Sequence, residues 1–122
     1  MNRKQTLATL LVVFFVLAVG CSRETHKEHY PNGKLKSVLN YKKGQPEGIA
    51  LYYYENGRLK ERVNYRKGKR ERTGTTYYES GKLKEETSYV NGEREVVKLY
   101  SEKGELVSES INKGGKLVGE KK

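Results

Sequence analysis

Few side chains in this sequence could do covalent or acid-base chemistry, and their positions argue against most of it. Cys21 is the only cysteine in 122 residues. No intrachain disulfide can form, and one thiol is left to act as nucleophile, ligand or acyl acceptor. The only histidines, His26 and His29, flank Lys27 and Glu28. A metal site wants three or four converging ligands, and a chain with one cysteine and no aspartate offers no set to complete one. No metal and no cofactor is expected. Glu61 and Glu85 stand at equivalent places in a repeated unit, so they read as one structural carboxylate per unit rather than an acid-base pair. No serine sits in a nucleophile elbow and no phosphate loop is present, so no enzymatic activity is expected. Lysines interleaved with tyrosines would suit a platform on which single-stranded nucleic acid stacks.

The first twenty residues have a different composition from the rest. Arg3 and Lys4 form a positive head, Leu7 to Val19 is almost uninterruptedly apolar, and small residues surround Gly20. That run is shorter than the ~20 residues of a membrane span and fits the apolar region of a secretory signal. Leu17-Ala18-Val19-Gly20-Cys21 resembles the lipobox of bacterial lipoproteins. The resemblance implies a signal peptide over 1–20, cleavage between Gly20 and Cys21, and acylation of Cys21 as the new N-terminus. Two or more acyl chains anchor stably where one is marginal. Ser22, rather than aspartate, follows the cysteine; by resemblance to sorting in two-membrane bacteria this favours the outer membrane. Export to the envelope would remove nucleic acid as a partner.

Without the signal the chain keeps 23 basic residues and all 15 acids, a net charge of +8, and all ten of its aromatics are tyrosines. Such a surface suits acidic partners: membrane head groups, wall carboxylates or an acidic protein face.

The organisation that must position these residues is a repeat. Tyr30-Pro-Asn-Gly-Lys-Leu-Lys36 recurs as Tyr54-Glu-Asn-Gly-Arg-Leu-Lys60 and Tyr78-Glu-Ser-Gly-Lys-Leu-Lys84. Gly33, Gly57, Gly81 and Gly104 lie 24, 24 and 23 residues apart, and Gly44, Gly68, Gly92 and Gly115 each follow 11 residues later. A fixed period means stacked supersecondary units. Within a unit hydrophobicity alternates with period two, as Leu59, Glu61, Val63 and Tyr65 against Lys60, Arg62 and Asn64, which is strand periodicity. Asn32-Gly33 and Asn56-Gly57 are strong signals for two-residue type I′ turns; Ser80-Gly81 and Lys103-Gly104 are weaker ones. Two-residue turns would set Tyr54 opposite Leu59, Tyr53 opposite Lys60 and Tyr52 opposite Glu61.

The expected fold is all-β, a single-layer antiparallel meander of about seven or eight short strands. One face should hold Leu35, Leu39, Tyr54, Leu59, Val63, Tyr78 and Leu83. The other should hold Tyr53, Tyr77 and the lysines, making Lys36, Tyr53, Lys60, Tyr77 and Lys84 the candidate binding face. The same lysines also serve to keep strand edges from aggregating. Residues 21–28 should be acylated cysteine and tether, 29–119 the repeats and 120–122 a tail. Val96 to Lys122 reads as an atypical terminal cap, with an apolar second face at Val96, Val107 and Ile111 and with Gly119 onward frayed.

The recurring Tyr-x-Asn-Gly-Lys-Leu-Lys, followed by Tyr41, Tyr65 or Tyr89 and then Gly, resembles the MORN-repeat variant of bacterial lipoproteins and antitoxin-like proteins. Arg72 and Glu95 depart from it, standing where the first copy has Gly48. The resemblance implies a hairpin array for protein or membrane contact and implies no reaction. The function expected is a membrane-anchored envelope lipoprotein whose sheet binds a protein, lipid head group or wall polymer. The alternative is an antitoxin-like protein that neutralises a toxin by direct contact.

Overall fold

The computed structural model describes residues 22–114 and 116–122; the expected signal peptide, its cleavage point and Cys21 lie outside the described residues. The chain forms β1 (Arg23–His29), β2 (Leu35–Lys42), β3 (Gln45–Pro46), β4 (Gly48–Tyr53), β5 (Leu59–Arg66) and β6 (Lys69–Arg70). It continues through β7 (Arg72–Tyr77), β8 (Leu83–Val90), β9 (Glu93–Tyr100), β10 (Leu106–Lys113) and β11 (Lys116–Lys121). All pair antiparallel in one sheet ordered β1-β2-β4-β5-β7-β8-β9-β10-β11, with β3 on β2 and β6 on β5. This is the expected all-β hairpin meander, with eleven strands in place of seven or eight.

Two of the additional strands are two-residue pieces, and a third comes from the segment expected to be a tether. Arg23–His29 pairs along β2, from Arg23 opposite Lys42 to His29 opposite Leu35. Every residue of β1 is exposed, so it has no hydrophobic face to betray it. Its backbone satisfies the outer edge of β2 instead. At the other end β11 includes Glu120 and Lys121, residues expected to form a tail.

The two glycines of each unit make different turns. Lys43-Gly44, Lys67-Gly68 and Asn91-Gly92 have positive φ at both positions and join directly opposed residues such as Arg66 and Lys69. These are the two-residue type I′ turns. Around Gly57 only the glycine has positive φ, at 87°. The Gly57 N–H donates to the Tyr54 carbonyl at 2.9 Å and the Tyr54 N–H to the Arg58 carbonyl at 2.8 Å. That pattern is a three-residue loop with a glycine bulge, and Tyr30, Tyr78 and Ser101 open the same loop. The Asn56 side chain accepts the Arg58 N–H at 2.9 Å. Its amide caps the loop while its backbone stays right-handed, so the expected type I′ turn is replaced.

The register near the loop shifts accordingly. Tyr53 faces Leu59, whereas Tyr52 faces Glu61 as expected, and the shift between them leaves Lys60 unpaired. Lys36, Lys84 and Val107 are skipped at the same place in their copies.

A second irregularity separates β3 from β4 and β6 from β7. The Glu47 N–H donates to the Asn40 carbonyl, and the Glu71 N–H to the Asn64 carbonyl, each at 2.9 Å. The Asn40 and Asn64 amides then reach the Ile49 and Thr73 carbonyls at 3.1 and 3.0 Å. Gly48 there has φ 86°, and the exposed Arg72 has φ 62°. A left-handed non-glycine backbone costs about 1–2 kcal/mol. Arg72→Gly is therefore expected to raise stability by about 1 kcal/mol, once glycine's extra chain entropy is set against the relieved strain; a lower urea midpoint would contradict it. In the third copy Ser88 replaces the asparagine, and β9 runs on unbroken from Glu93 to Tyr100.

The core is a row across one face. Ala50 pairs with Val63, Gly74 with Thr87 and Thr87 with Val97. Val63 is 0 % and Ala50 2 % exposed. A single-layer sheet has no second layer to cover such a row, so the tyrosines do it. Tyr52 and Tyr65 pack against the Ala50, Val63 and Tyr89 cluster. A methyl group on Gly74 would stand 3.1 Å from the Tyr89 ring, which closes the roof at that point.

Candidate binding face

Both faces of the sheet carry charge, and in β1 and β5 strand alternation sets the glutamates on one face and Lys27 and Arg62 on the other. On the core face Arg70 approaches Glu61 at 3.1 Å, bonds the Tyr89 hydroxyl at 3.0 Å and lies over its ring at 5.6 Å. Burial alone would lower the Arg70 pKa, but hydrogen bonds to Tyr89 and Tyr65 and the Glu61 charge outweigh it and raise it. Burial, with Tyr65 beside it, pushes Tyr52 up to about 12. Arg94 lies 3.7 Å from Glu85, whose carboxylate also accepts the Thr87 hydroxyl at 2.6 Å. Glu61 and Glu85 thus stabilise the tyrosine roof and its neighbours through Arg70, Arg94 and Thr87. This is the structural use their recurrence suggested.

The opposite face is basic over its first half. Its central row runs Lys27, Val38, Leu51, Arg62 and Thr75 through paired neighbours. Arg23 and Lys42 pair beside that row, as do Arg66 and Lys69. The glutamates of β1 and β5 lie on the core face, opposite Tyr41, Ser37 and Tyr52. An open groove of about 600 Å³ runs past Asn40 and Asn64, with Arg23, Arg66 and Arg72 on its lip. Glu47 and Glu71 also line it. Glu47 accepts the Lys67 backbone N–H at 2.7 Å, and Glu71 lies 3.6 Å from Arg66.

The lysines singled out by sequence sit elsewhere. Lys36, Lys60 and Lys84 are the residues skipped beside the glycine loops. The Lys60 ammonium lies 5.5 Å over the Tyr54 ring and that of Lys84 5.4 Å over Tyr78, rather than joining Tyr53 and Tyr77. Such contacts are worth about 0.5–1 kcal/mol at exposed sites. Lys36 lies 3.6 Å from Glu28. The fourth copy loses both members of the stack together, having Ser101 and Val107 in these places.

The first tyrosine of each unit ties one repeat to the next. The Tyr30 hydroxyl donates to the Tyr53 carbonyl at 2.7 Å, Tyr54 to Tyr77 at 2.6 Å and Tyr78 to Tyr100 at 2.8 Å. Burial, then the nearby Glu79 charge, raises the Tyr54 pKa. Tyr53 and Tyr77 therefore contribute backbone carbonyls to this spine, and Tyr77 also approaches the Thr75 hydroxyl at 3.2 Å. Asn32, Gly33, Asn56, Gly57, Gly81 and Gly104 all lie in the loops that start it. His26 stacks edge-on to Tyr41 at 4.8 Å and lies 3.5 Å from Glu24. Among the described residues no three His, Cys, Asp or Glu side chains converge as a metal site.

Sequence reasoning missed Lys27, Lys42, Arg62 and Arg66. The signal was available as the parity of charge within β1 and β5, which separates Lys27 from Glu28 and Arg62 from Glu61.

The comparisons agree with this hairpin division. Residues 25–43, 46–67 and 73–91 match the family model described as MORN repeat variant. Each matched stretch is one hairpin around a glycine loop: β1–β2, β4–β5 and β7–β8. No curated protein and no solved structure matches the chain.

Proposed function

Because the chain carries three repeats of the MORN-variant family, we propose that it is a lipid-anchored envelope protein whose basic sheet face binds an anionic surface. The observation that carries the reading is the sorting of charge: Arg23, Lys27, Lys42, Arg62 and Arg66 share a face that the β1 and β5 glutamates avoid. Clustered cations of this kind attract phosphate or carboxylate groups on lipid head groups or wall polymer. The anchor rests on the lipobox-like Leu17 to Cys21. With Cys21 acylated, only Ser22 separates the lipid from β1, so the sheet is held against the membrane rather than on a tether running to Glu28. No reaction is proposed.

Two measurements test the reading. Fatty-acid analogue should label the chain, and Cys21→Ala should abolish both labelling and processing; label retained by that variant would refute the anchor. Co-sedimentation with anionic vesicles or wall fragments should weaken as salt rises, since exposed charges are screened beyond ~8 Å at physiological ionic strength. At about 1 kcal/mol per cation near such a surface, replacing Lys27, Lys42 and Arg62 by Gln should cost about 100-fold in affinity. The same change at Lys36, Lys60 and Lys84 should cost less, and at Lys121 and Lys122 least. Salt-independent binding, or equal losses from all three sets, would rule the face out.

A further inference from the structure

The two halves of the sheet differ in charge and in exposed apolar surface, and the differences run in opposite senses. Residues 22–82 hold 15 basic and 7 acidic side chains, while 83–122 hold eight of each. The whole +8 excess lies in the first half. Of the eight exposed large hydrophobics among the described residues, seven lie in the second half: Val90, Leu99, Leu106, Val107, Ile111, Leu117 and Val118. Terminal units of a repeat array ordinarily present a polar outer surface to water. The Val96–Lys122 segment, expected to cap the stack, does the reverse.

On the face that is basic in the first half, the register brings part of this apolar surface together. Ser88 pairs with Val96, Val96 with Ile111 and Ile111 with Gly119, and Val90 follows Ser88 on the same side of β8. Some of the charges within this half of the face are paired, although Lys113 stands opposite Lys116 beside Ile111. Lys98 lies 3.8 Å from Glu109, and the Tyr100 hydroxyl donates to Glu86 at 2.9 Å. That bond is the main cause raising the Tyr100 pKa.

We propose that two copies of the chain pack through this C-terminal half, around Val90, Val96 and Ile111. The charge distribution selects a second copy as the occupant. Two molecules of net charge +8 repel one another wherever their basic halves meet, but the neutral halves carry no net repulsion and have apolar surface to bury. A twofold contact there sets the basic halves at opposite ends, beyond the range over which salt leaves their repulsion intact. It also leaves the basic half of that face uncovered, and the two contacts use different residues, so the two readings stand or fall separately.

Single cysteines in the full chain, in its membrane, test the proposal. Ile111 and Ile49 are 39 % and 40 % exposed on the same face, in the neutral and basic halves respectively. The parent chain, with Cys21 alone, sets the background. A short bifunctional maleimide should convert most Ile111→Cys chains to a band of twice the chain mass and leave Ile49→Cys near background. Val90→Asp added to Ile111→Cys should lower that band about tenfold without altering the Ile49→Cys signal. Failure of Ile111→Cys to cross-link, equal cross-linking at Ile49, persistence of the band with Val90→Asp, or cross-linking only to a different protein would each overturn it.

Discussion

Val63→Asp is expected to destabilise the sheet by about 4 kcal/mol or more, a large part of the stability of any domain this size. Val63 is fully buried, at 0 % exposure, between Ala50 on one side and Gly74 on the other. A carboxylate there would lie among Tyr52, Tyr65 and Tyr89 with no water to solvate it, and burying a charge in such a site is among the most costly single changes known. Val90→Asp, at a site 50 % exposed, should change the stability read from urea unfolding by no more than about 0.5 kcal/mol. Similar midpoints for the two variants would mean that the tyrosine roof does not close over the row and the face is wet.

The second large effect belongs to the glycine loops. Gly57→Val should cost about 2–3 kcal/mol, because a β-branched residue at φ 87° is a strained outlier whatever the surrounding space. The nearest atom to an added Cβ is Lys34 Cδ at 4.0 Å, so the loss would be conformational and not steric. Gly119→Val should be neutral or slightly stabilising. Gly119 lies within β11 opposite Ile111, and its added Cβ would meet that side chain at 3.9 Å, an ordinary contact. Valine also suits a pleated strand. Equal losses at the two positions would show that the loop does not need its left-handed residue.

The period, strand alternation and hairpins were legible because each is a short-range property that composition records directly. Turn type was not, since Asn56-Gly57 and Asn91-Gly92 share a dipeptide and fold differently. The difference is that Asn56 spends its side chain on the Arg58 N–H. The break between β3 and β4 was readable in principle. Gly44 and Gly57 are 13 positions apart, as are Gly68 and Gly81, but Gly92 and Gly104 only 12. The missing residue falls where Gly48 and Arg72 take positive φ, and β9 is continuous for want of it. β1 was invisible because an edge strand with two polar faces carries no period for burial to impress. The tyrosines were recognised as markers but not as three kinds of part. Tyr54 bonds the next repeat, Tyr53 and Tyr77 lend carbonyls, and Tyr65 and Tyr89 roof the core; that division depends on register, which the bulges shift.

The hydroxyl-to-carbonyl links of Tyr30 and Tyr54 each span 23 residues, and this has a consequence for how such a chain can change length. A link from one unit to the next fixes phase without reference to either end of the array. Duplicating the 24 codons from one glycine loop to the next in the gene would give every tyrosine a carbonyl at its accustomed distance. A step of 23 occurs once, before Gly104, and there the Tyr78 link spans 22 residues and still closes, with the register shifting between Ser88 and Tyr89. Growth and loss by whole units are thereby the genetic changes this sheet absorbs with least disturbance.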